Sequence, residues 1–130
     1  GTLPDRVEGY YKRSVSKTLA TEALNAIIKF FDGVAFDNNS SQIGPSFSDY
    51  VDFLETKKND TPLRDLITDQ FEISKTAIGE LNDDFTLQLD ENKLKMLEAY
   101  DKIQAAVVLM KVEMLQALNI NVDYVDADGD

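Results

Sequence analysis

The stretch "LKMLEAYDKIQAAVVLMKVEMLQAL", residues 94–118, restricts the fold more than any other part of the chain. On a helix that turns about 100° per residue, Met96, Tyr100, Ile103, Val107, Met110, Met114 and Leu118 form one seam. They step by four and three, the spacing of packed helices. Leu94, Leu97, Val108, Val112 and Leu115 form a second seam, interrupted at Asp101. Gln104 and Lys111 lie between the seams. Lys95, Glu98, Lys102 and Glu113 mark the polar side, where Ala106 and Leu109 intrude. A helix in an isolated bundle needs only one apolar stripe. Two readings stay open. One broad stripe packs against several neighbouring helices, with Lys111 snorkelling outward, or the second seam faces another domain or chain. Leu94, Leu97, Val108, Val112 and Leu115 are therefore the candidate interface.

Three further helices are expected. "SKTLATEALNAIIKFFDG" places Leu19, Ala23, Ala26, Ile27 and Phe30 at helical spacing, with Ser16 or Thr18 as N-cap and Gly33 as the residue that ends it. "VAFDNNSSQIGPS" is a loop by its Asn, Ser, Gly and Pro content. "SFSD" then matches a capping box with Asp in the acidic position. It opens a short helix whose inner face would hold Tyr50, Phe53 and Leu54. In "NDTPLRDLITDQFEISKTAIGEL", Thr61 reads as N-cap and Pro62 as the first helical residue. Leu63, Leu66, Ile67, Phe71, Ser74, Ile78 and Leu81 follow one face. "NDDFTLQLD" is expected to break this helix, and Asp90 to cap the last, from about Glu91 to Leu118. Ile120, Val122 and Tyr124 then alternate with polar residues, as a strand or extended segment does. The expected fold is all-α: an up-down four-helix bundle with a short extended C-terminal segment. At 130 residues the chain has the size of a single domain.

The chain lacks both histidine and cysteine. A Ser-His-Asp triad, a HExxH zinc site, a thiolate nucleophile and a disulfide are therefore impossible on this chain alone. With 13 basic against 24 acidic residues the formal net charge is −11, which repels phosphate backbones and anionic lipid. No nucleic-acid role is expected. No apolar run approaches the length of a membrane span. No Gly-rich phosphate cradle is present, and no carboxylate pair stands out among the acidic residues, so no catalytic or cofactor-binding residue is assigned. The terminal "DADGD" superficially suggests a calcium loop. Its glycine follows two aspartates instead of three, and no bidentate Glu follows. A solvated acidic end with weak calcium affinity is the expectation, and no metal ligand is assigned.

The end of the chain also carries a resemblance. "AYDKIQAAVVLMKVEMLQALNINVDYVDADGD" is similar to the C-terminus of the imelysin-like family of bacterial extracytoplasmic proteins. The residues that carry it are Leu109, Lys111, Val112, Glu113, Ala117, Leu118, Ile120, Asp126, Asp128, Gly129 and Asp130. "EGYYKRSVSKTLATEALNAIIKFFDG", "FSDYVDFL" and "PLRDLITDQFEISKTAI" resemble the helices that precede it in that family. The resemblance implies two related helical bundles, of which this chain is the C-terminal half. The opening "GTLPDRVEGYY", without an initiator Met or a signal-peptide apolar region, reads in the same way as the interior of a longer precursor.

Imelysin-like proteins are secreted, periplasmic or outer-membrane lipoproteins, and several are tied to iron uptake. The resemblance thus implies a non-catalytic binding or scaffolding half in iron or haem uptake, partnered by the N-terminal bundle of the same protein or by self-association. The family is classed with metallopeptidases through a GxHxxE motif in its N-terminal half. One alternative is thus that this chain supports a peptidase whose metal lies in that other half. A second is a stand-alone helical interaction module. No cofactor is expected on this chain itself.

Overall fold

In the computed structural model, which describes Leu3, Arg6, residues 9–35 and residues 43–120, most of the chain is helical. A 3-10 segment, Tyr10–Val15, leads into α1, Ser16–Phe31. The start of α1 is fixed from outside, because Lys17 Nζ donates to the Leu81 carbonyl at 3.0 Å and pairs with Asp83 at 2.6 Å. Gly33 ends α1 as expected, with φ at +67°. It has a second task that sequence spacing does not reveal. A Cβ at Gly33 would lie 2.6 Å from the Gly44 carbonyl oxygen. That close approach lets Gly44 N–H donate to the Gly33 carbonyl at 2.9 Å, and Val34 bridges to Ile43 beside it.

Helix α2, Phe47–Phe53, carries the expected cap. Asp49 N–H donates to Ser46 Oγ at 3.0 Å, and that hydroxyl donates to the Asp49 carboxylate at 2.6 Å. A hairpin absent from the sequence reading follows. Strand β1, Lys57–Lys58, pairs antiparallel with β2, Thr61–Pro62. Asn59 and Asp60 form its two-residue loop, both at positive φ, the conformation that a tight hairpin turn demands. Thr61 is therefore a strand residue and not the expected N-cap, and α3, Leu63–Gly79, begins one residue after Pro62. Along α3 the buried positions are Leu63, Ile67, Phe71, Ser74 and Ile78, all on the expected face.

Helix α4, Phe85–Val108, departs from the expectation at its start. Of the segment expected to break the chain, residues 82–84 do lie between the helices, but residues 85–90 form the first turns of α4, capped by Asp84, whose Oδ1 accepts from Thr86 N–H at 2.8 Å and Leu87 N–H at 3.1 Å. The true interruption is at Asn92, where the backbone is extended (φ −153°, ψ 78°). Asn92 Oδ1 accepts from Lys95 N–H at 3.1 Å, so the restart is capped by Asn92 and not by Asp90. Both residue types cap well, and their spacing alone does not separate them. A π-helical turn, Leu109–Met114, and a short final turn, α5, Leu115–Ala117, complete the helix.

The core is centred on α3, which packs against both α1 and α4. Leu24 and Phe31 of α1, Val51 of α2, Ile67 and Phe71 of α3, and Ala106 and Met114 from the last helix belong to one apolar cluster. Phe31 and Phe71 meet edge to face, with centroids 5.7 Å apart. Small side chains let α3 and α4 approach closely. Ser74 and Ala99 are buried, and Ser74 Oγ and Gln70 Nε2 both donate to the Lys102 carbonyl, at 3.0 and 2.9 Å.

Three helical faces differ from the sequence reading. The core stripe of α1 is Ser16, Ala20, Leu24, Ile28 and Phe31, while the expected stripe of Leu19, Ala23, Ala26, Ile27 and Phe30 is exposed. In α2 the buried residues are Ser48 and Val51, and Tyr50 and Phe53 point outward. In α4 the buried Ala106 replaces its expected place on the polar side. At the close α3–α4 contact small residues, Ser74, Ala99 and Ala106, are the buried ones, whereas α1 turns Leu24, Ile28 and Phe31 to the core and leaves Ala23 and Ala26 exposed. Among the described residues no helix is long and apolar enough to cross a membrane.

Candidate functional site

The five residues of the second seam do not form one continuous surface. Leu94, 72% exposed, and Leu97 sit just after the break at Asn92. Val108, 50% exposed, lies at the far end of α4. Eleven residues separate Leu97 from Val108, or about 16 Å along the axis. Val112 lies within the π turn and Leu115 just after it; both are half-buried, with Leu115 packed against the core. The π turn accounts for that division. Ala99 and Ala106 are seven residues apart, whereas Ala106 and Met114 are eight apart, and all three are buried. One extra residue is absorbed between them, so the stripe through Val108 is not continued by Val112. The same turn holds Glu113, half-buried, which pairs with Lys58 of the β1–β2 hairpin.

A more continuous apolar surface lies between α1 and the last helix. Ala26, Ile27 and Phe30 form one wall, and Val107, Met110 and the stem of Lys111 form the other. The groove has a volume of about 460 Å³. Its lining is almost entirely apolar because α3 holds α1 and α4 apart, so neither helix covers the other's outer stripe.

Phe30, 65% exposed, belongs to a second cleft as well. That cleft, about 400 Å³, is lined by Phe30, Val34, Pro45, Phe47 and Tyr50. Phe30 and Phe47 stand 5.4 Å apart, and Tyr50 stacks on Phe53 at 6.1 Å with ring planes 11° apart. Gly33 and the Ser46 cap are what bring these rings together, since they join the end of α1 to the start of α2. Beside it, sharing Val34, is a polar cleft of about 750 Å³ that holds Asp32, Asp49, Asp65 and Asp69 with Arg64. Arg64 is pushed above its ordinary pKa, chiefly by its hydrogen bond to Asp52; burial opposes that rise, and the charges of Asp52, Asp49 and Asp32 add to it in turn. No ion pair holds Asp32, Asp65 or Asp69 among the described residues.

None of these arrangements is a catalytic constellation. Among the described residues no group of three metal-ligating side chains could hold an ion. The terminal Asp126–Asp130 segment and the alternation at Val122 and Tyr124 lie outside the described residues. Sequence reasoning missed the surface roles of Ile27, Phe30, Tyr50 and Phe53 because period alone assigns large apolar residues to the core. The glycine at position 33 and the cap at Ser46 were the available signals, since both fix where α1 and α2 meet. Comparison of the chain with models of protein families, with curated proteins and with solved structures found no match.

Proposed function

We propose that this chain is a non-catalytic helical half of an imelysin-like extracytoplasmic protein and serves as a binding or scaffolding element in iron or haem uptake. The observation that supports this reading is the uncovered apolar groove between α1 and the last helix. The core is centred on α3, which packs against α1 and α4, and in this reading a further long helix rests in the groove. A helix of the protein's other bundle is the proposed occupant, and any metal chemistry of the whole protein would belong to that bundle. Covering side chains such as Ile27 and Phe30 is favourable by about 1.5–3 kcal/mol for each one fully buried.

Sedimentation of the chain alone and with the N-terminal half supplied in trans tests the proposal. The expected result is a 1:1 complex that Ile27→Gln weakens at least about tenfold, as loss of one buried aliphatic anchor should. Val108→Gln serves as a comparison for the α4 seam. Ile27 is already exposed, so its replacement should cost the isolated fold no more than about 0.5 kcal/mol. A chain that stays monomeric and forms no complex overturns the reading.

A further inference from the structure

We propose that the aromatic and acidic clefts at the junction of α1, α2 and α3 together form a docking groove for an extended cationic peptide segment, one that carries an aliphatic or proline anchor next to lysine or arginine. This inference concerns a second surface, which shares Phe30 with the α1–α4 groove and is otherwise lined by different residues. The aromatic cleft supplies the anchor site. Phe30, Pro45, Phe47 and Tyr50 present ring faces and edges around a space of about 400 Å³, and Phe53, 78% exposed, extends the platform. Aromatic-lined grooves suit extended, proline-containing segments, because such segments lose little entropy on binding.

The acidic cleft supplies the charge. It adjoins the first through Val34, and consecutive residues at the start of α2 divide between the two, the cap Ser46 and Phe47 on one side and Ser48 and Asp49 on the other. An extended chain advances about 3.3 Å per residue, so an anchor in one cleft brings a basic side chain two or three residues away over the other. Four carboxylates face one guanidinium there, and that guanidinium is already engaged by Asp52 outside the cleft. The carboxylates are too dispersed to close on a single metal ion, which favours the long, spread cations of peptide side chains. A second copy of this chain is the wrong occupant, because each copy carries a net charge of −11 and like charges would meet at the cleft. Anionic lipid is repelled for the same reason.

The test is fluorescence anisotropy with a fluorescein-labelled nonapeptide containing Leu-Pro-Leu followed by Arg-Lys-Arg. Binding should weaken about fivefold or more in Asp65→Asn/Asp69→Asn, which removes two exposed ion pairs. Its salt dependence between about 50 and about 300 mM should flatten in that variant. Tyr50→Ala should weaken binding about fivefold through lost aromatic contact and leave the salt dependence unchanged. Two controls separate a site from general attraction to an acidic protein. Glu91→Gln/Glu98→Gln removes the same charge from exposed positions on α4 and should leave affinity unchanged. Ile27→Gln, in the other groove, should also have no effect. No binding overturns the proposal. So does equal weakening by the two charge-removing pairs, which would mean attraction to net charge alone, or binding indifferent to Tyr50→Ala.

Discussion

Two polar side chains at the start of α4 have opposite fates. Gln88 is buried with both ends of its amide satisfied. Its Oε1 accepts from Asn82 N–H at 2.7 Å, and its Nε2 donates to the Asn92 carbonyl at 2.9 Å. It therefore ties the α3–α4 connection to the break in α4. Thr86 is buried one face away, and its hydroxyl has no hydrogen-bond partner. The two positions should respond in opposite ways to apolar replacement. Gln88→Leu leaves the half-buried Asn82 N–H and the Asn92 carbonyl without their partner and should cost about 1 kcal/mol. Thr86→Val removes a desolvated hydroxyl that gains nothing and should stabilise by up to about 1 kcal/mol. Urea unfolding followed by helical circular dichroism would show the midpoints moving in opposite directions; a shift of both the same way would contradict this account. Neither role could be read in the sequence, because burial of a polar side chain depends on what the α3–α4 connection and the break bring around it.

Helices were readable as helices, and so was the inner face of α3, but the faces of α1, α2 and the last helix were not. In α1 both Leu19-Ala23-Ala26-Phe30 and Ala20-Leu24-Ile28-Phe31 satisfy helical spacing, and only α3, packed on one of them, decides which is core. The stop at Gly33 and the cap at Ser46 are local events, so spacing found both. The hairpin escaped because its strands are two residues long, although Asn59-Asp60 carried a turn signal. The last helix shows the limit most clearly, since a uniform 100° per residue fails across the π turn at Leu109–Met114. Such turns arise where one residue exceeds the regular repeat. It follows that removing Lys111, an exposed residue inside the turn, should restore a regular helix with Ala106 and Met114 seven positions apart and both still inward. Its cost should be about 1 kcal/mol. Removing Gln104 from the regular part of α4 rotates Ala106 by about 100° and should cost several kcal/mol through lost core packing. Thermal melts of the two deletion variants check this ordering, and equal destabilisation would mean that the turn absorbs no surplus residue.

At the scale of the whole molecule, the candidate surfaces coexist with a strong negative charge that the composition alone discloses. That charge has an uncommon pH dependence. With no histidine and no cysteine, no side-chain type on the chain has an ordinary pKa between about 5 and 9. Net charge, and with it the repulsion between copies, should therefore stay almost constant from pH 6 to pH 9. Below about pH 5 the carboxylates begin to protonate, and near the sequence pI of about 4.3 the repulsion vanishes. The apolar α1–α4 groove and the aromatic cleft then lose the field that keeps copies apart. Self-association measured by light scattering should be flat across the neutral range and rise steeply between pH 5 and 4.3. In the neutral range it should rise with salt instead, because screening replaces protonation. Ile27→Gln should blunt both rises if the groove is the surface that meets. A step in association or in melting temperature between pH 6 and 8 larger than the single α-amino charge can produce would contradict the prediction, since it would require a side chain titrating far from its ordinary range.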